Sequence, residues 1–196
     1  MIVLAMDTCC GTSSVTIQND YQLLAQVVEK KENKQAELLI PIIESALSTA
    51  QMSYADINLL VVTNGPGSFT GIRAGLASIY AISSLLNIPA IGITTLEVLA
   101  AQLINDIEED EFYITVAAGR GRYYCQLFDK SLKSLTAIDL KEERDIIFLK
   151  KNLYGDYKRK IIIDTSILAN IGLERLRAGL CSNIMPIAQY SKFHLS

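Results

Sequence analysis

Few residues in this chain have the right type and spacing for chemistry. Asp7-Thr8 closes the apolar run Ile2 to Met6, and Gly65-Pro66-Gly67-Ser68 follows the apolar run Ile57 to Val62. A carboxylate at the end of one strand and a glycine turn opening a helix after another are components of a phosphate site. Free N–H groups of the turn would meet the anion, and Ser68 or Thr70 would cap the helix. Asp7, Thr8, Gly65, Gly67 and Ser68 are the candidates to face a nucleotide. Plainer roles exist for the same residues: Asp7 is a turn former, and glycine with proline reverses a chain. A kinase or phosphohydrolase would also need a second acidic group to hold its metal, and none stands out.

Other chemistries are excluded by what is missing. His194 is the only histidine, which removes a histidine metal site, a Ser-His triad and the H-E-x-x-H pattern of a metallopeptidase. No catalytic or metal-ligating residue is assigned. The four cysteines, Cys9, Cys10, Cys125 and Cys181, form no CxxC pair and read as reduced, buried thiols of a cytoplasmic protein. The net charge of −3 does not suit a chain that grips nucleic acid alone. The densest basic run, Lys150-Lys151 to Lys158-Arg159-Lys160, reads as a solvated loop, with a minor RNA contact as the alternative. No run reaches the ~20 apolar residues of a membrane span, and Met1–Met6 lacks a basic leader.

The elements that would position these residues follow from periodicity. Strands are expected at Ile2 to Met6, Ser14 to Gln18 and Tyr21 to Val28, as a meander. A helix is expected from Gln35 to Gln51, with Pro41 kinking it or marking a join. Then come a strand at Ile57 to Val62, the glycine turn, a helix from Thr70 to Leu86 and a strand at Ala90 to Ile93. A helix opened by Thr94 or Thr95 with Glu97 ends this part. The acidic stretch Ile107 to Glu111 sets a boundary between lobes 1–106 and 107–196. Beyond it, strands are expected at Phe112 to Ala117, Tyr123 to Asp129, Leu135 to Leu140 and Lys160 to Ile163, with a helix at Ser166 to Arg177.

The helix after the glycine turn is unusual. Gly71, Ala74, Gly75, Ala77, Ser78 and Ala81 fall at spacings of three and four. Each interior glycine costs a helix about 1 kcal/mol relative to alanine. Something must therefore approach closely: this protein's own sheet, or a helix of another subunit. On the second reading, leucine at Gly75 or Ser78 should abolish pairing and leave the chain folded.

The order of a meander followed by alternating helices and strands resembles the ribonuclease-H-like lobe of the actin and sugar-kinase superfamily. The stretch Gly65-Pro66-Gly67-Ser68-Phe69-Thr70-Gly71-Ile72-Arg73-Ala74-Gly75 is similar to the signature of the TsaB family, the dimerisation subunit of bacterial tRNA threonylcarbamoyladenosine synthesis. Asp7-Thr8 with Ser14-Val15, Leu39-Ile40-Pro41, Ile88-Pro89-Ala90-Ile91-Gly92-Ile93 and Arg120-Gly121 with Tyr124 add to the resemblance.

This resemblance implies an α/β fold of two ribonuclease-H-like lobes, the second reduced. It implies a non-catalytic subunit pairing with a TsaD-type transferase that modifies N6 of the adenosine beside the tRNA anticodon. A TsaE-type ATPase would join the pair, with tRNA met mainly through the complex, and homodimerisation is left open. No cofactor is expected on this chain alone, while ATP or ADP would lie at the interface of the complex. The pairing surface would comprise Leu38, Ile42 and Ala46 with Gly71, Ala74, Gly75, Ala77, Ser78 and Ala81. Thr95 and Leu99 stand where the catalytic relative carries two metal-binding histidines, and neither replaces an imidazole. Ala117 stands where family members often carry Asp, and Gln35 where they often carry His. The alternative function is an independent ATP-dependent kinase or phosphohydrolase of the same superfamily.

Overall fold

The computed structural model describes residues 1–30, 34–147, 152–157, 161–180 and 185–189. The basic residues Lys150, Lys151 and Lys158 to Lys160, together with Cys181 and His194, lie outside them.

The first sheet is built from β1 (Ile2–Asp7), β2 (Ser13–Asn19) and β3 (Gln22–Glu29), followed by β4 (Leu59–Thr63) and β5 (Ala90–Ile93). Its order is β3-β2-β1-β4-β5, with the meander antiparallel and β1, β4 and β5 mutually parallel. Strands covered on both faces need apolar side chains on both, which is why β4 reads Leu-Leu-Val-Val-Thr and is buried throughout. Alternation then sorts the core. Leu4, Met6, Leu60 and Val62 face helices α1 (Gln35–Ala50) and α2 (Phe69–Leu86). Val3, Ala5, Leu59 and Val61 face α3 (Thr95–Leu103) and the final helix on the other side.

Helix boundaries follow local chemistry. Helix α3 starts at a capping box: the Thr94 hydroxyl accepts from the Glu97 amide at 3.2 Å, and Glu97 accepts from the Thr94 amide at 3.0 Å. Ser68, rather than Thr70, caps α2, accepting from the Gly71 amide at 3.2 Å. Pro41 does not divide α1, which runs through it. The strand expected from Ile57 begins at Leu59, because Tyr54–Asp56 forms a 3-10 turn that ends at Ile57.

The second sheet comprises β6 (Glu111–Gly119), β7 (Arg122–Asp129), β8 (Asp139–Glu142) and the short β9 (Leu153–Gly155), with α4 (Glu143–Ile147) between the last two. Its order is β8-β7-β6-β9, the first sheet's pattern without its fifth strand. The reduced second lobe of a ribonuclease-H-like pair is thus observed.

Several expectations beyond residue 130 are corrected. The strand expected at Leu135 to Leu140 is confined to Asp139–Glu142, with one isolated bridge between Phe128 and Ser134. The Asp129 carboxylate draws the chain into a turn by accepting from the amides of Ser131 and Lys133, at 2.9 and 3.1 Å. Ile161 to Ile163 is not a strand. The Ile161 amide goes to Asp156 at 2.9 Å, and the Gln102 side chain takes the Ile162 carbonyl and the Asp164 amide.

One helix crosses the expected boundary between 1–106 and 107–196. Helix α5 (Thr165–Arg177) returns from the second stretch to cover the first sheet. Its Thr165 hydroxyl bonds those of Ser14 and Thr16 at 2.9 and 2.7 Å, and Asn170 accepts from Gln18 at 2.9 Å. Arg175 pairs with Glu97 of α3. Gly172 lies so close to the sheet that a Cβ would sit 2.4 Å from a Val61 methyl.

Candidate functional site

The glycine turn is pressed against the turn between β1 and β2. The Ser68 amide donates to the Cys9 carbonyl at 2.8 Å, and the Thr8 hydroxyl donates to the Gly71 carbonyl at 2.7 Å. A Cβ on Gly67 would lie 2.4 Å from the Cys9 carbonyl oxygen, and one on Gly71 would lie 1.9 Å from that of Thr8. On Gly75 it would meet the Thr8 hydroxyl at 2.8 Å and Val62 at 3.2 Å. The glycines of α2 thus serve a close approach within the lobe.

Asp7 lies beneath this contact and is fully buried. Its Oδ1 accepts from the Thr63 hydroxyl and, at 3.0 Å, from the Cys9 amide, while Oδ2 has no hydrogen-bond partner among the described residues. Burial pushes the carboxyl up to about 6, against the opposing pull of its hydrogen bonds. Burial, and then the charge of Asp7, push the Cys9 thiol up to about 12, so it is a poor nucleophile.

The candidates for facing a nucleotide, Asp7, Thr8, Gly65, Gly67 and Ser68, are therefore brought together, but not as a phosphate cradle. Asp7 and Thr8 are fully buried, and the amides of Ser68, Gly71 and Ile72 are all committed within the protein. Gly65 is covered by the Gln189 carbonyl, which a Cβ there would meet at 2.6 Å. These residues do not fit a phosphate group within this chain. Among the described residues, no three acidic, cysteine or histidine side chains gather as metal ligands. Thr95 and Leu99 are fully buried, Leu99 in the apolar core.

A cavity of about 930 Å³ opens between the lobes, beside the glycine turn. Cys10, Ser68 and Phe69 line one wall, and Arg122, Tyr124 and Asp156 line the other. Arg120 and Gly121 make the left-handed turn of the β6–β7 hairpin, at φ 55° and 68°. Asp156 was not singled out from the sequence; it supplies a carboxylate next to Ala117, accepting from that residue's amide at 3.4 Å and from Ile161 at 2.9 Å. Only its place after β9, a strand of three residues, brings it there.

The outer surface of α1 and α2 is the other feature. Of the residues expected at a pairing surface, Ile42, Ala46, Gly71 and Gly75 are buried inside the lobe. Leu38, Ala74 and Ser78 are half-buried, and Ala77 and Ala81 are exposed. The same two helices carry exposed apolar side chains: Ile40 is 42% exposed, Phe69 58% and Leu85 83%. Phe69 carries the Arg73 guanidinium over its ring at 4.8 Å. By length and composition α2 would pass as a membrane span, but its inner face is integral to the core.

Comparison with known proteins assigns this architecture. The family model for TsaD, tRNA N6-adenosine threonylcarbamoyltransferase, matches residues 22–166. The chain belongs to this family, as a TsaB-type member. It is 34% identical over 100 residues to the tRNA threonylcarbamoyladenosine biosynthesis protein TsaB of Escherichia coli K12, covering 51% of this chain and 43% of that protein. It is 35% identical over 129 residues to the uncharacterized protein Rv3421c of Mycobacterium tuberculosis H37Rv, covering 65% of this chain and 59% of that one. The chain thus spans between two fifths and three fifths of the length of these relatives. The fold is that of YeaZ from Pseudomonas aeruginosa, with a TM-score of 0.80, 14% identity and coverage of 96% of this chain and 99% of that one.

Proposed function

We propose that this chain is the non-catalytic subunit of a tRNA-modifying pair, docking through the outer face of α1 and α2 onto a TsaD-type transferase. The transferase would place threonylcarbamoyl on N6 of the adenosine beside the anticodon. The observation that carries this reading is the strip of small residues on α2, with Ala74 and Ser78 half-buried and Ala77 and Ala81 exposed, on a helix pair that also exposes Ile40, Phe69 and Leu85. Small side chains let a second helix lie close, and the apolar rim provides the driving force. A fully buried Asp7, and Thr95 and Leu99 in place of histidines, support a chain that leaves the chemistry to its partner.

In this reading the complex works in the cytoplasm, recruits a TsaE-type ATPase and meets tRNA mainly through the partner. Any ATP or ADP lies at the joint surface, and homodimerisation would use the same helices. The test is co-purification with the transferase subunit. Wild type is expected to be retained, and Ala77→Arg with Ala81→Arg is expected to be lost while its circular dichroism is unchanged. Retention of the double variant at wild-type affinity overturns the assignment of the surface.

A further inference from the structure

Residues 185–189 lie across the C-terminal ends of β4 and β5 as an extended segment. Pro186 is buried and Ala188 half-buried, while Met185, Ile187 and Gln189 are exposed, which is the alternation of a strand lying on a surface. The Gln189 amide donates to the Asn64 carbonyl at 2.7 Å, and the Asn64 side chain donates to the Ile187 carbonyl at 2.9 Å. From α2 the Tyr80 hydroxyl donates to the Pro186 carbonyl. The surface beneath is cut to fit. A Cβ on Gly92 would lie 2.8 Å from the Pro186 Cβ, and one on Gly65 would lie 2.6 Å from the Gln189 carbonyl oxygen.

We propose that Asn64, Gly65, Gly92 and Tyr80 form a groove for an extended peptide, that its occupant is the chain's own segment 185–189, and that seating this segment holds α2 in position for its partner. The strap grips the helix system at two points. At Asn64 and Gly65 it fixes the turn that leads into α2, and at Tyr80 it fixes the middle of the helix itself. A surface held in its binding geometry loses less freedom on association. The coupling to a partner rests on the function proposed above; the groove and its hold on α2 do not.

The test uses the chain carrying Pro186→Asp, which places a charge at the buried strap position and alters no residue of α2 or of the glycine turn. Amide hydrogen exchange and affinity for the TsaD-type subunit are measured on wild type and variant. The Gln189 amide is expected to be protected in wild type and unprotected in the variant. Amides of α2 should exchange faster in the variant, and affinity should fall about tenfold. Fast exchange at Gln189 in wild type overturns the groove. Unchanged α2 exchange with unchanged affinity overturns the coupling. If neither protein binds the transferase subunit, the pairing itself fails; faster α2 exchange in the variant then still supports the strap, and unchanged exchange overturns it. Should Pro186→Asp not fold, Tyr80→Phe, which removes one hydroxyl, carries the same comparison.

Discussion

Thr8 donates its hydroxyl to the Gly71 carbonyl at 2.7 Å, and the Cβ that Gly71 lacks would lie 1.9 Å from the Thr8 carbonyl oxygen. Two backbones meet here with no side chain between them. Gly71→Ala should therefore destabilise by more than about 4 kcal/mol, because a backbone oxygen cannot move aside as a side chain would. Thr8→Val keeps the shape and loses one buried bond, so it should cost about 1–3 kcal/mol. Urea unfolding of both variants measures the difference.

Substitutions separate the inner and outer sides of the α2 stripe. Gly75→Leu puts a branched side chain against Thr8 and Val62, and the expected result is an unfolded or aggregated chain. Ser78→Leu projects from the half-buried outer side and should fold with a stability change within about 1 kcal/mol. Size-exclusion chromatography with circular dichroism distinguishes the two. The expectation that leucine at Gly75 would leave the fold intact is thereby revised.

Asp7 makes stability depend on pH in an uncommon direction for a carboxylate. Its folded value, about 6, lies above the ordinary 3.8. Between these values the folded state holds a proton that the unfolded state has released, so stability falls as pH rises through that window. The full loss is present above pH 6 and amounts to about 3 kcal/mol. Asp7→Asn cannot ionise there. Its stability relative to wild type should rise by about 2 kcal/mol between pH 4 and pH 7 in denaturant titrations.

Helix α5 is held by the Thr165 hydroxyl between Ser14 and Thr16. Thr165→Val strands two buried hydroxyls and should cost about 1–3 kcal/mol. Calorimetry should still show one transition, lowered in temperature, since α5 joins both stretches of chain in a single core.

How much of this was legible in the sequence depends on how far away each cause lies. Thr94 with Glu97 opens α3 by a contact three residues long, and the alternation of Val3, Leu4, Ala5 and Met6 needs no distant partner. Those elements fell where they were expected. The short β9 exists only because β6 pairs with it, and the apolar run Ile161 to Ile163 is diverted by Asp156 and Gln102, so neither could be read locally. The candidate site shows the same division. Glycines at 71 and 75 announced a close approach, but the approaching group is Thr8, 63 residues from Gly71 in sequence. The stripe of small residues on α2 was legible because helical spacing is local.

The return of α5 bears on how the polypeptide is made. Val3, Ala5, Leu59 and Val61 are made before Thr165–Arg177, the helix that shields one side of them. Part of an oily flank of the first sheet, the part that α3 does not cover, therefore stays bare until α5 is made. Nascent chains stalled before Thr165 should bind a holdase chaperone, and chains extended past Arg177 should let it go.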